Sequence, residues 1–89
     1  MVTSLPTLFE IFGYRIFFWS NEAGEPIHVH VCRGKPTGNT TKIWLPPDSN
    51  PVVANNNSNI PEKDLKRIMK MIALNRDTII AQWYDYFNK

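Results

Sequence analysis

The sequence contains one cysteine, Cys32, and no hydrophobic run of the length that crosses a membrane. A single cysteine cannot form an internal disulfide framework, which favours a reducing compartment and predicts a cytoplasmic protein. Residues 1–13 lack the basic and hydrophobic regions of a secretory signal, and a membrane span needs about 18 consecutive apolar residues. Neither a secreted disulfide scaffold nor a membrane protein is therefore expected.

Net charge is also scarce, since 10 basic residues stand against 8 acidic ones. This balance does not indicate a nucleic-acid partner, although residues 33–70 are mainly basic and residues 1–32 mainly acidic. The chain is instead rich in hydrophobic residues (43%), with 3 Trp, 3 Tyr and 5 Phe among 89 residues. Such a composition is typical of a folded protein, and the length allows one hydrophobic core, so we predict a single domain over residues 1–89.

Three segments in the first half of the chain are typical of β-strands. Residues 14–20 (YRIFFWS) and 27–33 (IHVHVCR) are rich in aromatic and β-branched side chains and flank a turn-like segment. Residues 40–45 (TTKIWL) end at Pro46 and Pro47, which cannot continue a hydrogen-bonded ladder. This order predicts a three-stranded antiparallel meander, followed by a polar connection with only a short extended piece at Val52 and Val53.

From Pro61 to Phe87 the hydrophobic residues recur with helical spacing. The segment that starts at Asn75 would cap a second helix, but the apolar stripe stays in phase across it, which favours one continuous helix. We therefore predict an α+β fold: a three-stranded antiparallel β-meander followed by a long C-terminal helix, or two in-phase helices, packed on one sheet face.

The two histidines, His28 and His30, lie two positions apart in the second predicted strand. Side chains in a strand alternate between faces, so Val29 and Val31 are predicted to meet the helix, and both histidines and Cys32 to occupy the other face. The flanking strands add to the histidine face either residues 15, 17 and 19 or residues 14, 16 and 18, with Lys42 and Trp44 from the third strand.

The histidines admit three interpretations. Imidazoles and a thiolate would suit zinc or copper, but no second ligand pair accompanies them, so no metal site is predicted. As general base and general acid, His28 and His30 would cleave RNA, with Arg76 stabilising the transition state. In the third interpretation they form hydrogen bonds within the fold. No cofactor is predicted.

Arg76 falls near the centre of the apolar helical stripe, with Asn75 at its edge. A buried guanidinium needs carboxylates, carbonyls or an anionic ligand for its five donors. The structural alternative is bonding to Glu10, Glu25 or strand carbonyls. The functional alternative is an anion-binding site, in which Asn75 and Arg76 are candidate ligand-binding residues.

Aromatic and basic residues raise a nucleic-acid hypothesis. Trp44 is a candidate ligand-binding residue, because Trp19, Trp44 or Tyr84 would stack bases beside basic side chains. Packing in the core or a dimer contact is the stronger explanation for the aromatic residues. The basic outer arc of the helix is predicted to be a solvated surface, and it consists of Lys63, Lys66, Arg67 and Lys70.

Residues 6–31 (PTLFEIFGYRIFFWSNEAGEPIHVHV), followed by KIWL, DLKRI and NRDTIIAQWYDYF, resemble a small prokaryotic family, the domain of unknown function 4160. The most specific elements are Pro26, His28, His30 and Val31, the pair Asn75 and Arg76, and the ending at Trp83, Tyr86 and Phe87. The resemblance implies no assigned activity. It implies pairing with another small domain, as in proposed toxin–antitoxin systems, and it marks His28, His30 and Arg76 as the positions to test.

We therefore expect a cytoplasmic protein-interaction module, one component of a toxin–antitoxin-type pair. Its partner would be a cognate small protein or a second copy of the chain, bound through the helix or through the sheet face that the helix leaves uncovered. The first alternative is a metal-independent RNase-like toxin that uses His28 and His30 with Arg76, and the second is a metal-binding module. RNA is less favoured than a protein partner, and no membrane partner is expected.

Overall fold

The fold is built on a five-stranded antiparallel sheet, in a computed structural model that describes residues 7–18, 24–34 and 39–87. Five strands precede two helices: β1 (Thr7–Ile11), β2 (Tyr14–Phe17), β3 (His28–Arg33), β4 (Thr41–Trp44), β5 (Val52–Asn56), α1 (Glu62–Leu74) and α2 (Arg76–Phe87). The strand order is β1-β2-β3-β4-β5, so every strand pairs with its neighbour in sequence. The α+β class and the antiparallel meander are confirmed, but the prediction of three strands is wrong.

The two additional strands form the edges of the sheet, and both are irregular. Leu8 in β1 and Ala54 in β5 have no register partner, because the pairing shifts there. Two of the five residues of β5 are asparagines, which have a low strand propensity, and the conformation of β5 is stabilised by pairing with β4. Such bulges at sheet edges also hinder the addition of further strands.

A two-residue turn joins β1 to β2. Ile11 pairs with Tyr14, and between them Phe12 and Gly13 have φ values of 53° and 82°. Tight hairpin turns of this kind need positive φ at both central residues, which is why Asn-Gly is the common pair there. Gly13 adopts this conformation without cost, whereas Phe12 is strained by its Cβ.

The hydrophobic core lies between one face of the sheet and the two helices. Alternate residues of the three central strands point into it, and Val29 and Val31 meet the helices as predicted. Its buried members include Tyr14, Ile16, Phe18, Val29, Val31, Ile43, Leu45, Ile68, Ile72, Ile79 and Trp83. No helix in the described part of the chain is long and apolar enough to span a membrane.

The helical region is interrupted at Asn75, so the favoured single helix is wrong and the two-helix alternative is confirmed. The Asn75 backbone (φ −105°, ψ 16°) leaves the helical conformation, and its side-chain Nδ2 donates to the Met71 carbonyl at 2.8 Å. Its own carbonyl accepts the first hydrogen bond of α2, from the Ile79 N–H at 3.0 Å. The break occupies one residue, which explains why the apolar stripe stays in phase across it.

Candidate functional site

Strand β3 places both imidazoles on the sheet face opposite the core, as the alternation predicts. The ring centroids of His28 and His30 are 5.1 Å apart. His30 pairs with Phe17 and with Lys42, and His28 pairs with Trp44. Odd-numbered residues of β2 therefore share the histidine face, while Trp19 lies outside the described residues.

The prediction that this face is left uncovered is wrong. His28 is 0% exposed and His30 only 7%, and Phe17 and Cys32 beside them are also buried. Burial raises the pKa of the Cys32 thiol, which keeps it protonated at neutral pH. The face that carries the histidines is thus already covered within the chain.

Trp83 of α2 contributes to this burial by closing one end of the sheet. Its ring centroid lies 5.2 Å from that of His28 and 5.1 Å from that of Phe18. His28 and Phe18 point to opposite faces of the sheet. Because β2 and β3 are interior strands, Trp83 can contact both side chains only beyond the ends of these strands. Helix α2 therefore packs where β3 begins and β2 finishes.

Both imidazoles hydrogen-bond within the fold. His28 Nδ1 lies 2.8 Å from the Pro26 carbonyl oxygen, which can only accept, so Nδ1 carries the proton. His30 Nδ1 lies 2.8 Å from the Thr40 hydroxyl, and its ring stacks on Phe17 with 5.7 Å between centroids. These contacts fix the orientation of each ring.

Arg76 binds backbone carbonyls in the turn that follows β4. Its guanidinium donates to the Pro46 carbonyl at 2.6 Å and also to the Pro47 carbonyl. Its Nε is buried and has no hydrogen-bond partner among the described residues. The structural alternative predicted for Arg76 was bonding to Glu10, Glu25 or strand carbonyls, whereas its partners are carbonyls of the turn just beyond β4. Asn75 beside it acts at the junction of the two helices.

A pocket of about 400 Å³ opens beside this turn, at the same end of the sheet. Its lining is almost entirely apolar and consists of Pro26, Ile27, Trp44, Leu45, Pro46, Pro47 and Tyr84. The Leu45 N–H donates to the Ile27 carbonyl at 2.9 Å. This hydrogen bond joins the wall that contains Ile27 to the wall that contains Leu45. Tyr84, from α2, is 56% exposed and forms the outer wall.

Residues predicted as separate candidates meet around this pocket. Trp44 lines it, and His28 lies behind Trp44 in an edge-to-face contact, with 5.3 Å between centroids. The hydrogen bond from His28 holds the Pro26 carbonyl, and Arg76 holds the carbonyls of the two prolines opposite. His28 and Arg76 thus support the walls without lining the pocket.

The three prolines, Ile27 and Leu45 were not predicted as pocket residues. Pro46 and Pro47 were interpreted only as the end of a strand. Adjacent prolines after a tryptophan are also a rigid apolar surface, and this signal was present in the sequence.

Two side chains of opposite charge lie beside Trp44 and form an ion pair. Lys42 Nζ lies 4.3 Å from the centre of the Trp44 ring and donates to Glu25 Oε1 at 2.7 Å. This hydrogen bond lowers the pKa of the Glu25 carboxyl. In the described part of the chain, no group of three or more His, Cys, Asp or Glu side chains is placed to hold a metal ion.

A family model described as Domain of unknown function (DUF4160) matches residues 13–84. The chain belongs to this family. The matched range holds every strand of the sheet except β1, and it contains all seven pocket residues and both supporting side chains, so the pocket lies within the DUF4160 region. No curated protein and no solved structure matches the chain.

Proposed function

We propose that this DUF4160 protein is a protein-interaction module, and that its pocket receives an apolar side chain from an extended segment of a partner protein. The observation that supports this proposal is the pocket itself, in which Trp44, Tyr84 and three prolines line a space of about 400 Å³. Grooves lined by aromatic residues are a common means of binding extended, proline-containing peptides.

The character of the walls favours a protein segment over a small metabolite. Among the residues that the structure describes, no charged side chain lines the pocket, whereas metabolite sites normally place a few polar groups to fix orientation. Prolines and aromatic rings lose little conformational entropy when a ligand binds, because they have few rotatable bonds. The hydrogen bonds from His28 and Arg76 hold two of the walls in place before binding.

A toxin–antitoxin-type pair is the biological setting that we propose for this interaction, on the basis of the family resemblance. The partner would be the cognate small protein. The ribonuclease alternative gains no support from a specific observation, because a general base must reach its substrate and both imidazoles are buried and hydrogen-bonded internally.

Photo-crosslinking tests the proposal. A photoreactive phenylalanine analogue at position 84 should crosslink to a discrete protein during native co-purification, and that protein should be lost from Tyr84→Ala pull-downs. Leu74→Ala is the matched control, because Leu74 is exposed and does not line the pocket. Equal recovery of the protein by Tyr84→Ala would contradict the proposal.

A growth experiment separates the two alternatives. Expression of the chain alone should leave growth and total RNA unchanged if it is a binding component. Growth arrest with RNA cleavage would instead support the ribonuclease hypothesis.

A further inference from the structure

The turn residue Phe12 is exposed and strained at the same time. It has φ 53°, in the left-handed region, and it is 46% exposed. A turn of this type favours asparagine at the same position, and a half-exposed ring adds little to the core. Strain of this kind in a surface aromatic residue indicates a role outside folding.

A guanidinium lies against the Phe12 ring. Arg67 Cζ is 3.6 Å from the ring centroid, which places the turn beside the exposed side of α1. The guanidinium lies over one face of the ring, and both side chains remain accessible to solvent, so the pair presents an exposed π system beside a planar cation.

Arg67 belongs to the basic arc of α1. Lys63, Lys66, Arg67 and Lys70 are all exposed, and at 100° per residue they fall within about 100° of arc, opposite the buried Ile68 and Ile72. Two pairs in this arc, Lys63 with Arg67 and Lys66 with Lys70, are like charges at i,i+4 spacing, which destabilises a helix. A bound polyanion would relieve this repulsion.

Arg33, at the end of β3, adds a fifth cation near the same surface. Its guanidinium lies 4.8 Å from the centre of the Tyr14 ring and 3.8 Å from Asp64 Oδ2. Asp64 also accepts a hydrogen bond from the Tyr14 hydroxyl at 2.8 Å, so the carboxylate is engaged within the fold. The Phe12 face is defined here by its six outward residues, Phe12, Arg33, Lys63, Lys66, Arg67 and Lys70.

We propose that the Phe12 face binds single-stranded nucleic acid. The lysines and arginines contact phosphates, and an unpaired base stacks on the platform of Phe12 and Arg67. A duplex keeps its bases stacked and inaccessible to such a platform. An acidic protein would use the charges but would not account for the strained aromatic residue. The inference goes beyond the proposed function, since the Phe12 face shares no residue with the pocket.

Fluorescence anisotropy with labelled single strands of about twelve nucleotides, oligo(dT) and oligo(U), tests the proposal. Contact with about three phosphates gives a slope near −2 for log K against log salt, at about −0.7 per phosphate. The double variant Lys66→Ala/Lys70→Ala removes two of these contacts, so its slope should be less negative by more than one. Absence of binding to both oligonucleotides at about 50 mM salt would overturn the proposal.

Substitution of the ring separates stacking from charge. Phe12→Asn keeps a residue that accepts positive φ, so the turn is retained while the ring is lost. We expect affinity to fall at least fivefold at every salt concentration with an unchanged slope, and Phe12→Trp to retain binding. Thermal melts verify that both variants are folded.

Two controls complete the design. Arg15→Gln removes one positive charge on the other face of the sheet and should change affinity less than twofold. A polyglutamate peptide should compete weakly. Equal competition by polyglutamate, together with unchanged binding by Phe12→Asn, would overturn the proposal in favour of an acidic protein partner.

Discussion

Replacement of Arg76 by methionine tests how the pocket wall is held. Arg76 is the first residue of α2, and its guanidinium binds the turn after β4 through the carbonyls of Pro46 and Pro47. Methionine retains an unbranched apolar chain of similar length, so the change removes the donors while it keeps most of the packing. Arg76→Lys is the companion variant, since an ammonium retains the charge without the two-pronged geometry.

The expected loss of unfolding free energy depends on how far each of the two hydrogen bonds from Arg76 is exposed to solvent. The bond to the Pro46 carbonyl is partly buried, and a hydrogen bond from a charged donor in such a position contributes about 1.5 kcal/mol. The bond to the Pro47 carbonyl is exposed, where water replaces the lost donor, so we assign it about 0.5 kcal/mol. Arg76→Met should therefore lower the free energy of unfolding by about 2 kcal/mol, and Arg76→Lys by about half of that.

Urea denaturation followed by circular dichroism measures this free energy, with an unchanged m-value expected for a local loss. The same titrations with added phosphate address the anion-site alternative. An anion bound by Arg76 would stabilise the wild type in proportion to its occupancy and would leave Arg76→Met unaffected. We expect the difference between the two proteins to be independent of phosphate.

Two results would refute this reasoning. A loss below about 0.5 kcal/mol in Arg76→Met would mean that the carbonyl contacts do not stabilise the fold. A stabilisation by phosphate that disappears in Arg76→Met would mean that the guanidinium serves an anionic ligand.

Three further predictions concern single contacts. Tyr14→Phe should cost about 1.5 kcal/mol by removing the hydrogen bond to Asp64. Burial and that bond raise the pKa of the Tyr14 hydroxyl, so the free energy of unfolding of the wild type should decline as the pH rises above about 10. Urea denaturation at several pH values measures this decline, which should be smaller in Tyr14→Phe because that variant lacks the hydroxyl. Ile72→Ala should cost about 2–5 kcal/mol in urea denaturation, because Ile72 is fully buried. Lys42→Met should raise the pKa of the Glu25 carboxyl in an NMR titration, and an unchanged value would exclude their hydrogen bond as the cause of its lowered pKa.

The central part of the fold could be predicted from local sequence pattern. The strands around Ile16, Val29 and Ile43 alternate or are rich in β-branched and aromatic residues, and both signals survive in the structure. The edge strands could not be found in this way. β5 owes its conformation to β4, and β1 is followed by a Phe-Gly turn, which is not the usual sequence of a tight hairpin turn.

Sequence pattern singled out a few residues at or beside the pocket, but it did not predict the pocket itself. Alternation placed His28 and Trp44 on one face, and helical spacing identified Arg76 as a polar group that needs partners. The pocket depends on the end of the sheet, where α2 places Tyr84 opposite the prolines. Helix α2 begins after the break at Asn75, a single residue that leaves the hydrophobic periodicity unaltered, so no periodicity argument could detect it.

The sequential order of the strands has a consequence for how the chain acquires its structure. Each hairpin closes a short loop, so the sheet requires few distant encounters and should form rapidly. Its apolar face, however, is covered by helices that are encoded after the last strand. During synthesis the strands leave the ribosome before the helices. Until Glu62–Phe87 follow, the nascent chain exposes a hydrophobic surface to which chaperones would bind.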